Sequence, residues 1–170
     1  MKIFDCFMYF DEDLVLDLRL NTLNNLVDFF VIVESTHTHK GEKRDLKFNI
    51  KKYEKFKKKI IYLIYNIEPS GIDEIKEEDN ESIKSTKYIL NAIKRENGQR
   101  NFIEMGLSNA TNEDIVLVSD VDEIPNLSDV NFNQMSNKIY LFKQDMFYYK
   151  FNLQIPNFKW VGTKACKKKD

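Results

Sequence analysis

The chain of 170 residues carries 26 Lys+Arg against 27 Asp+Glu, a net charge of −1, and 42% of its residues are apolar. At that length one core can bury roughly 70% of the unfolded surface, and the charge balance excludes the basic excess of a dedicated nucleic-acid binder. Cys6 and Cys166, at opposite ends, cannot build a disulfide framework.

No apolar run approaches the roughly 18 residues of a membrane helix. Asp5, Asp11 and Glu12 interrupt the N-terminal apolar run, so no secretory leader and a cytoplasmic location are expected. Residues 2–10 are aromatic and apolar and predict a first strand, with Cys6 as a small buried hydrophobe. Asp11-Glu-Asp13 follows, short carboxylates suited to capping a helix start. Leu16, Leu20, Leu23 and Val27 then recur at three- and four-residue steps, the spacing of an amphipathic helix. Residues 29–33 form a continuous β-branched and aromatic run, as in a strand buried on both faces.

Residues 35–46 are polar, contain Gly41 and predict a loop; residues 59–65 predict a third strand. The acidic stretch 66–82, with Pro69 and Gly71, reads as an exposed connection. A helix is predicted over 83–107, with Ile89, Ile93 and Ile103 among polar residues. Residues 114–118 are another buried-type strand, and 139–142 and 146–151 two more; the lysines at 55–59 and 167–169 read as solvated faces. Strands alternating with helices predict one α/β domain over 1–170, with a mostly parallel central sheet flanked by helices. In such sheets ligands bind beyond the carboxyl ends of the strands.

That rule directs attention to Asp120 and Asp122, just after the apolar strand. If the segment is extended, alternate side chains face the same way. The two carboxylates then share one ligand, and a hard divalent cation such as Mn²⁺ or Mg²⁺ relieves their repulsion. An acidic surface turn is the plainer alternative. His37 and His39 have the spacing of a metal pair, but no third ligand is evident and a solvated loop suits them better.

The segment Ile115-Val-Leu-Val-Ser-Asp-Val-Asp-Glu-Ile-Pro125 resembles the metal-binding segment of glycosyltransferase family 17. Further blocks match in the same order: Phe4-Asp-Cys-Phe7 with Glu12 and Leu18-Arg-Leu20; Val27 to Ser35; Arg95-Glu96, Gln99-Arg-Asn101 and Gly106-Leu107; and Trp160-Val-Gly-Thr-Lys164. The resemblance implies a GT-A-like nucleotide-sugar-binding fold, a UDP-sugar donor and inversion at the anomeric carbon. It also implies transfer of N-acetylglucosamine from UDP-GlcNAc to a glycan acceptor, with a divalent metal on Asp120 and Asp122.

Donor-binding candidates are Glu34, Arg95, Gln99, Arg100, Asn101 and Asp120, with Arg100 as the cation nearest the departing diphosphate. Trp160 and Tyr148 are candidate acceptor-binding aromatics, although core packing is the commoner fate of such residues. Glu123 and Asp145 are the acidic residues available as general base. Family members continue beyond the Trp-Gly-Thr block, whereas this chain ends at Asp170. The expectation is therefore that a further segment or second subunit completes the acceptor side and supplies the base. An exposed apolar patch around Phe151, Ile155, Phe158 and Trp160 should then mark the neighbour. A non-catalytic nucleotide-sugar or glycan-binding module is the alternative. A phosphate-transfer enzyme ranks last, because no Gly-rich phosphate loop is present.

Overall fold

Continuous apolar runs make strands that need cover on both faces, and three such strands, at residues 3–9, 29–35 and 115–119, form the centre of the sheet. A computed structural model describes residues 1–135 and 138–170. The chain runs β1 (Ile3–Tyr9), α1 (Asp13–Leu23), β2 (Phe29–Ser35), a 3₁₀ segment (Ile50–Phe56), β3 (Ile60–Tyr65) and α2 (Glu81–Asn101). A 3₁₀ turn (Phe102–Leu107), β4 (Ile115–Ser119), a short 3₁₀ turn (Phe132–Gln134), β5 (Tyr140–Phe147) and β6 (Gln154–Lys167) follow.

The six strands lie in the order β3-β2-β1-β4-β6-β5. The first four are mutually parallel, but β6 runs antiparallel to β4, and β5 antiparallel to β6. The sheet is therefore mixed rather than mostly parallel.

Alternate residues of the central strands feed two cores. On one face Phe7, Phe30, Ile32, Ile115 and Leu117 pack with Leu16, Leu20 and Leu23 of α1 and with Tyr53 and Phe56. On the other, Phe4, Cys6, Val31, Val33 and Val116 pack with Ile103 and Leu107. Cys6 is the small buried hydrophobe its strand predicts.

Several boundaries differ from expectation. The acidic run before α1 caps no helical N–H; the Glu12 carboxylate instead accepts the amides of Phe10 and Asp11, tightening the turn ahead of the helix. The helix predicted to reach 107 ends at Asn101, and a 3₁₀ turn then carries Ile103 and Leu107 onto the sheet. Ile89 and Ile93 are exposed. The buried residues of α2 are Asn91 and Gln99, and Asn91 holds the acidic connection through both its amide groups on the Asp73 backbone, each at 2.8 Å.

The expected strand at 146–151 is absent: β5 stops at Phe147 and the chain turns through Tyr149, at φ 64°, into β6. The 14-residue β6 contains the Trp160 block and reaches Lys167. The terminal lysines are ion-paired rather than simply solvated. Lys167 and Lys169 meet Glu113 at 2.6 and 3.1 Å, and Lys168 meets Glu104 at 4.0 Å.

Candidate functional site

Strand β4 delivers Ser119, buried, to the carboxyl edge of the parallel strands. Residues 120–123 are a tight turn there rather than the extended stretch expected. The Glu123 amide donates to the Asp120 carbonyl at 3.1 Å, and the Ile124 amide donates to the Asp122 carbonyl at 3.1 Å. Asp120 and Asp122 nevertheless line the same cleft, of about 800 Å³.

Two clamps hold this turn. From α1, the wholly buried Arg19 donates to the carbonyls of Asp120, Val121 and Glu123 at 2.9, 3.1 and 3.1 Å, and to Ser119 Oγ at 2.6 Å. Its remaining donors form a bidentate pair with buried Asp5, at 2.6 and 2.8 Å. From the other side, Glu123 accepts the Asp120 amide at 3.0 Å and the Trp160 indole N–H at 2.5 Å. The Thr163 hydroxyl donates to the Glu123 carbonyl at 2.8 Å.

The facing wall comes from the segment after β2. It is a small ordered hairpin, with His37 bridged to Lys43 and the Thr38 amide bonded to the Glu42 carbonyl at 2.8 Å. His37, Thr38, His39 and Lys40 face the cleft across from the acidic turn. Asp122 has its pKa raised, first by partial desolvation on the cleft wall and then by the negative charges of Asp120, Glu123 and Glu12. Arg100 offsets part of this charge, since its Nη2 lies 2.9 Å from Glu96 and 3.0 Å from Asp120 Oδ1.

Among the described residues no three His, Cys, Asp or Glu side chains are grouped to hold a metal by themselves. The donor set suits only a hard ion that completes its shell with ligand phosphates and water, which Mg²⁺ commonly does with one or two carboxylates.

The other sequence candidates divide. Gln99 lines the cleft, although its amide is committed to the Val33 carbonyl at 2.9 Å. Glu34 is displaced from the expected role. Its carboxylate is fully buried and holds the Lys47 amide at 2.7 Å, the Phe48 amide at 3.1 Å, the Tyr62 hydroxyl at 2.8 Å and Arg44 at 3.1 Å.

Arg95 turns to Glu68, at 2.5 Å, and to the His39 carbonyl, at 3.2 Å, so it props the hairpin from behind. Asn101 is exposed where α2 ends, outside the cleft lining. Neither base candidate is placed to act: Glu123 braces the turn, and Asp145 is ion-paired with Lys159 on the β5–β6 hairpin. Tyr148 sits after β5 with its ring 4.3 Å from that of Tyr149.

The sequence model of glycosyltransferase family 17 matches residues 1–169. The chain belongs to glycosyltransferase family 17. Its ligands are by family a sugar donor and a glycan acceptor. No curated protein and no solved structure gives a significant match. No helix among the described residues is long and apolar enough to cross a membrane.

Sequence reasoning missed Arg19 and the hairpin wall of the family 17 site. Arg19 could have been found, because it interrupts the Leu16, Leu20, Leu23 stripe at a position three residues after Leu16. Asp5 interrupts the first apolar strand in the same way. A charge on each of two apolar faces signals a buried pair.

Proposed function

We propose that this chain transfers a sugar from a UDP-linked donor, N-acetylglucosamine from UDP-GlcNAc, to a glycan acceptor with inversion. In this reading the parallel half of the sheet is a GT-A-type nucleotide-binding unit, and Asp120 and Asp122 hold Mn²⁺ or Mg²⁺ on the donor diphosphate. The observation that carries the reading is the shared cleft at the carboxyl end of β4. Its lining brings together Asp120 and Asp122 of the acidic turn, Glu12 and Glu96 beside them, and His37, His39, Lys40 and Glu42 of the hairpin.

A bound divalent ion supplies Lewis-acid stabilisation of the charge on the leaving diphosphate. The chain's own residues do the rest. Asp120 and Asp122 supply oxygen ligands, Arg100 stands beside Asp120 as a second cation, and the hairpin encloses the donor from above. Trp160, half-exposed beside the acidic turn, offers a ring face to an acceptor sugar. Phe151 and Phe158, exposed on the same hairpin segment, extend that apolar surface.

The test is Mn²⁺-dependent UDP-GlcNAc binding and UDP release, comparing the native chain with Asp120→Asn and Asp122→Asn. Both variants should keep the fold, because exposed turn residues contribute little to stability, and both should lose metal-dependent binding. Unchanged metal-dependent binding in both would sink the assignment. The engagement of Glu123 and Asp145 elsewhere favours a second reading, a donor-binding module that turns over poorly by itself. Donor affinity and turnover measured on one preparation separate the two readings.

A further inference from the structure

We infer that Arg19, buried beneath the acidic turn and outside the cleft lining, is the positioning residue that sets the metal affinity of Asp120 and Asp122. The inference rests on the proposed metal site. Three carbonyls of a four-residue stretch, those of Asp120, Val121 and Glu123, point inward from the turn onto one guanidinium nitrogen. Inward-facing carbonyls need donors: the Asp120 carbonyl also receives the Glu123 amide and the Glu123 carbonyl the Thr163 hydroxyl, so the Val121 carbonyl depends most on Arg19.

The same guanidinium is held from below by Asp5 through two parallel bonds and lies over the Phe7 ring, 4.5 Å from its centroid. Six acceptors thus surround one planar group. A guanidinium has five N–H donors in a fixed fork, whereas an ammonium has three on a flexible stem. Lysine could keep the charge opposite Asp5 but could not hold the turn's carbonyls in the same geometry. Because the backbone of 120–123 is fixed from inside, the two aspartate side chains are directed outward to the cleft. Groups that orient first ligands in this way typically change metal affinity by about 10- to 100-fold when altered.

The experiment uses the full chain as Arg19→Lys, and as Ser119→Ala, which removes one partner of the guanidinium and leaves the Asp5 pair in place. Leu107→Ala, in the core of the opposite sheet face, is a control destabilised without touching the turn. Mn²⁺ affinity is measured in the presence of UDP, alongside thermal unfolding and amide hydrogen exchange.

Arg19→Lys should weaken Mn²⁺ binding by about 10-fold or more, and Ser119→Ala less but in the same direction, while Leu107→Ala binds as the native chain does. The Glu123 and Ile124 amides should exchange faster in Arg19→Lys than in Leu107→Ala. Native Mn²⁺ affinity in both turn variants would overturn the inference. So would an equal loss of affinity in Leu107→Ala. If the native chain takes up no Mn²⁺ with UDP, the proposed metal site fails, and exchange at Glu123 and Ile124 alone decides whether Arg19 orders the turn.

Discussion

Replacing Glu34 by alanine separates a structural carboxylate from a ligand-binding one. Glu34 is the last residue but one of β2, at the carboxyl edge of the sheet, yet its side chain is sealed. Two backbone amides, one phenol and one guanidinium converge on it. Removing one partner of a buried ion pair costs about 3–5 kcal/mol, because the other charge stays buried without compensation. For a chain of this size each kcal/mol lowers the midpoint by about 2–4 °C, so Glu34→Ala should melt about 6–20 °C below the native chain. Glu34→Gln keeps the volume and one acceptor, but it sets an amide N–H₂ against a backbone N–H and removes the charge facing Arg44. A loss of about 1.5–3 kcal/mol is expected. Both are measured by thermal and urea denaturation, and UDP affinity is measured well below the midpoint, where it should be unchanged. A native melting temperature in Glu34→Ala combined with weakened UDP binding would refute the reasoning.

Gly106→Ala should cost about 1–3 kcal/mol as overpacking, because a Cβ there would lie 2.4 Å from Val31 Cγ1; an unshifted urea midpoint would mean that the 3₁₀ turn can lift off β2. Arg100→Ala should weaken UDP binding more than uridine binding, since only the diphosphate carries charge for the guanidinium to recognise; equal weakening would make Arg100 structural. The Asp13 carboxyl is held below its ordinary range, first by the bond from Lys52 and also by the Tyr9 and Tyr53 hydroxyls. Its folded pKa is therefore lower than its unfolded one, so its contribution is present above about pH 4 and is lost as the pH falls through the folded value. The stability gap between native protein and Asp13→Asn should shrink on acidification, and a gap that widens in urea titrations at low pH would contradict this.

Strands β1, β2 and β4 were legible because burial on both faces demands unbroken apolar runs, and the half-exposed edge strand β3 because its own run is also unbroken. The same logic made the acidic turn visible, since it follows such a run directly. Strand β6 was not legible. It carries Pro156, Gly162 and three lysines, and most of its length is half-exposed or exposed, so no period of apolar residues announces it. Glu34 was legible as a strand-end carboxylate, but its partners Lys47 and Phe48 lie 13 and 14 residues on. The direction in which a strand-end carboxylate turns is decided by such distant donors. Arg19 was obscured for the same reason, its turn partners lying 100 to 104 residues away.

The reversal of direction at β6 explains why the Trp160 block belongs to the site. Antiparallel pairing sets Val118 opposite Lys164 and Ile115 opposite Lys167. The residues just before Lys164 must therefore lie past Ser119, alongside the acidic turn. A parallel strand in that slot would bring its end there rather than its beginning, and could not be joined to β5 by a short hairpin turn. The hairpin brings Thr163 and Trp160 onto Glu123. It also requires a residue without a side chain between them: a Cβ on Gly162 would sit 2.0 Å from Gln144 Oε1 and 3.1 Å from the Glu123 carboxyl carbon. Glu123 is thus enclosed by β6, while Arg19 grips the turn's carbonyls from α1. Neither clamp uses the side chain of Asp120 or of Asp122, so both remain in the cleft lining, where Glu12, Glu42 and Glu96 also lie, while Glu123 braces the turn by holding the Asp120 amide and the Trp160 indole.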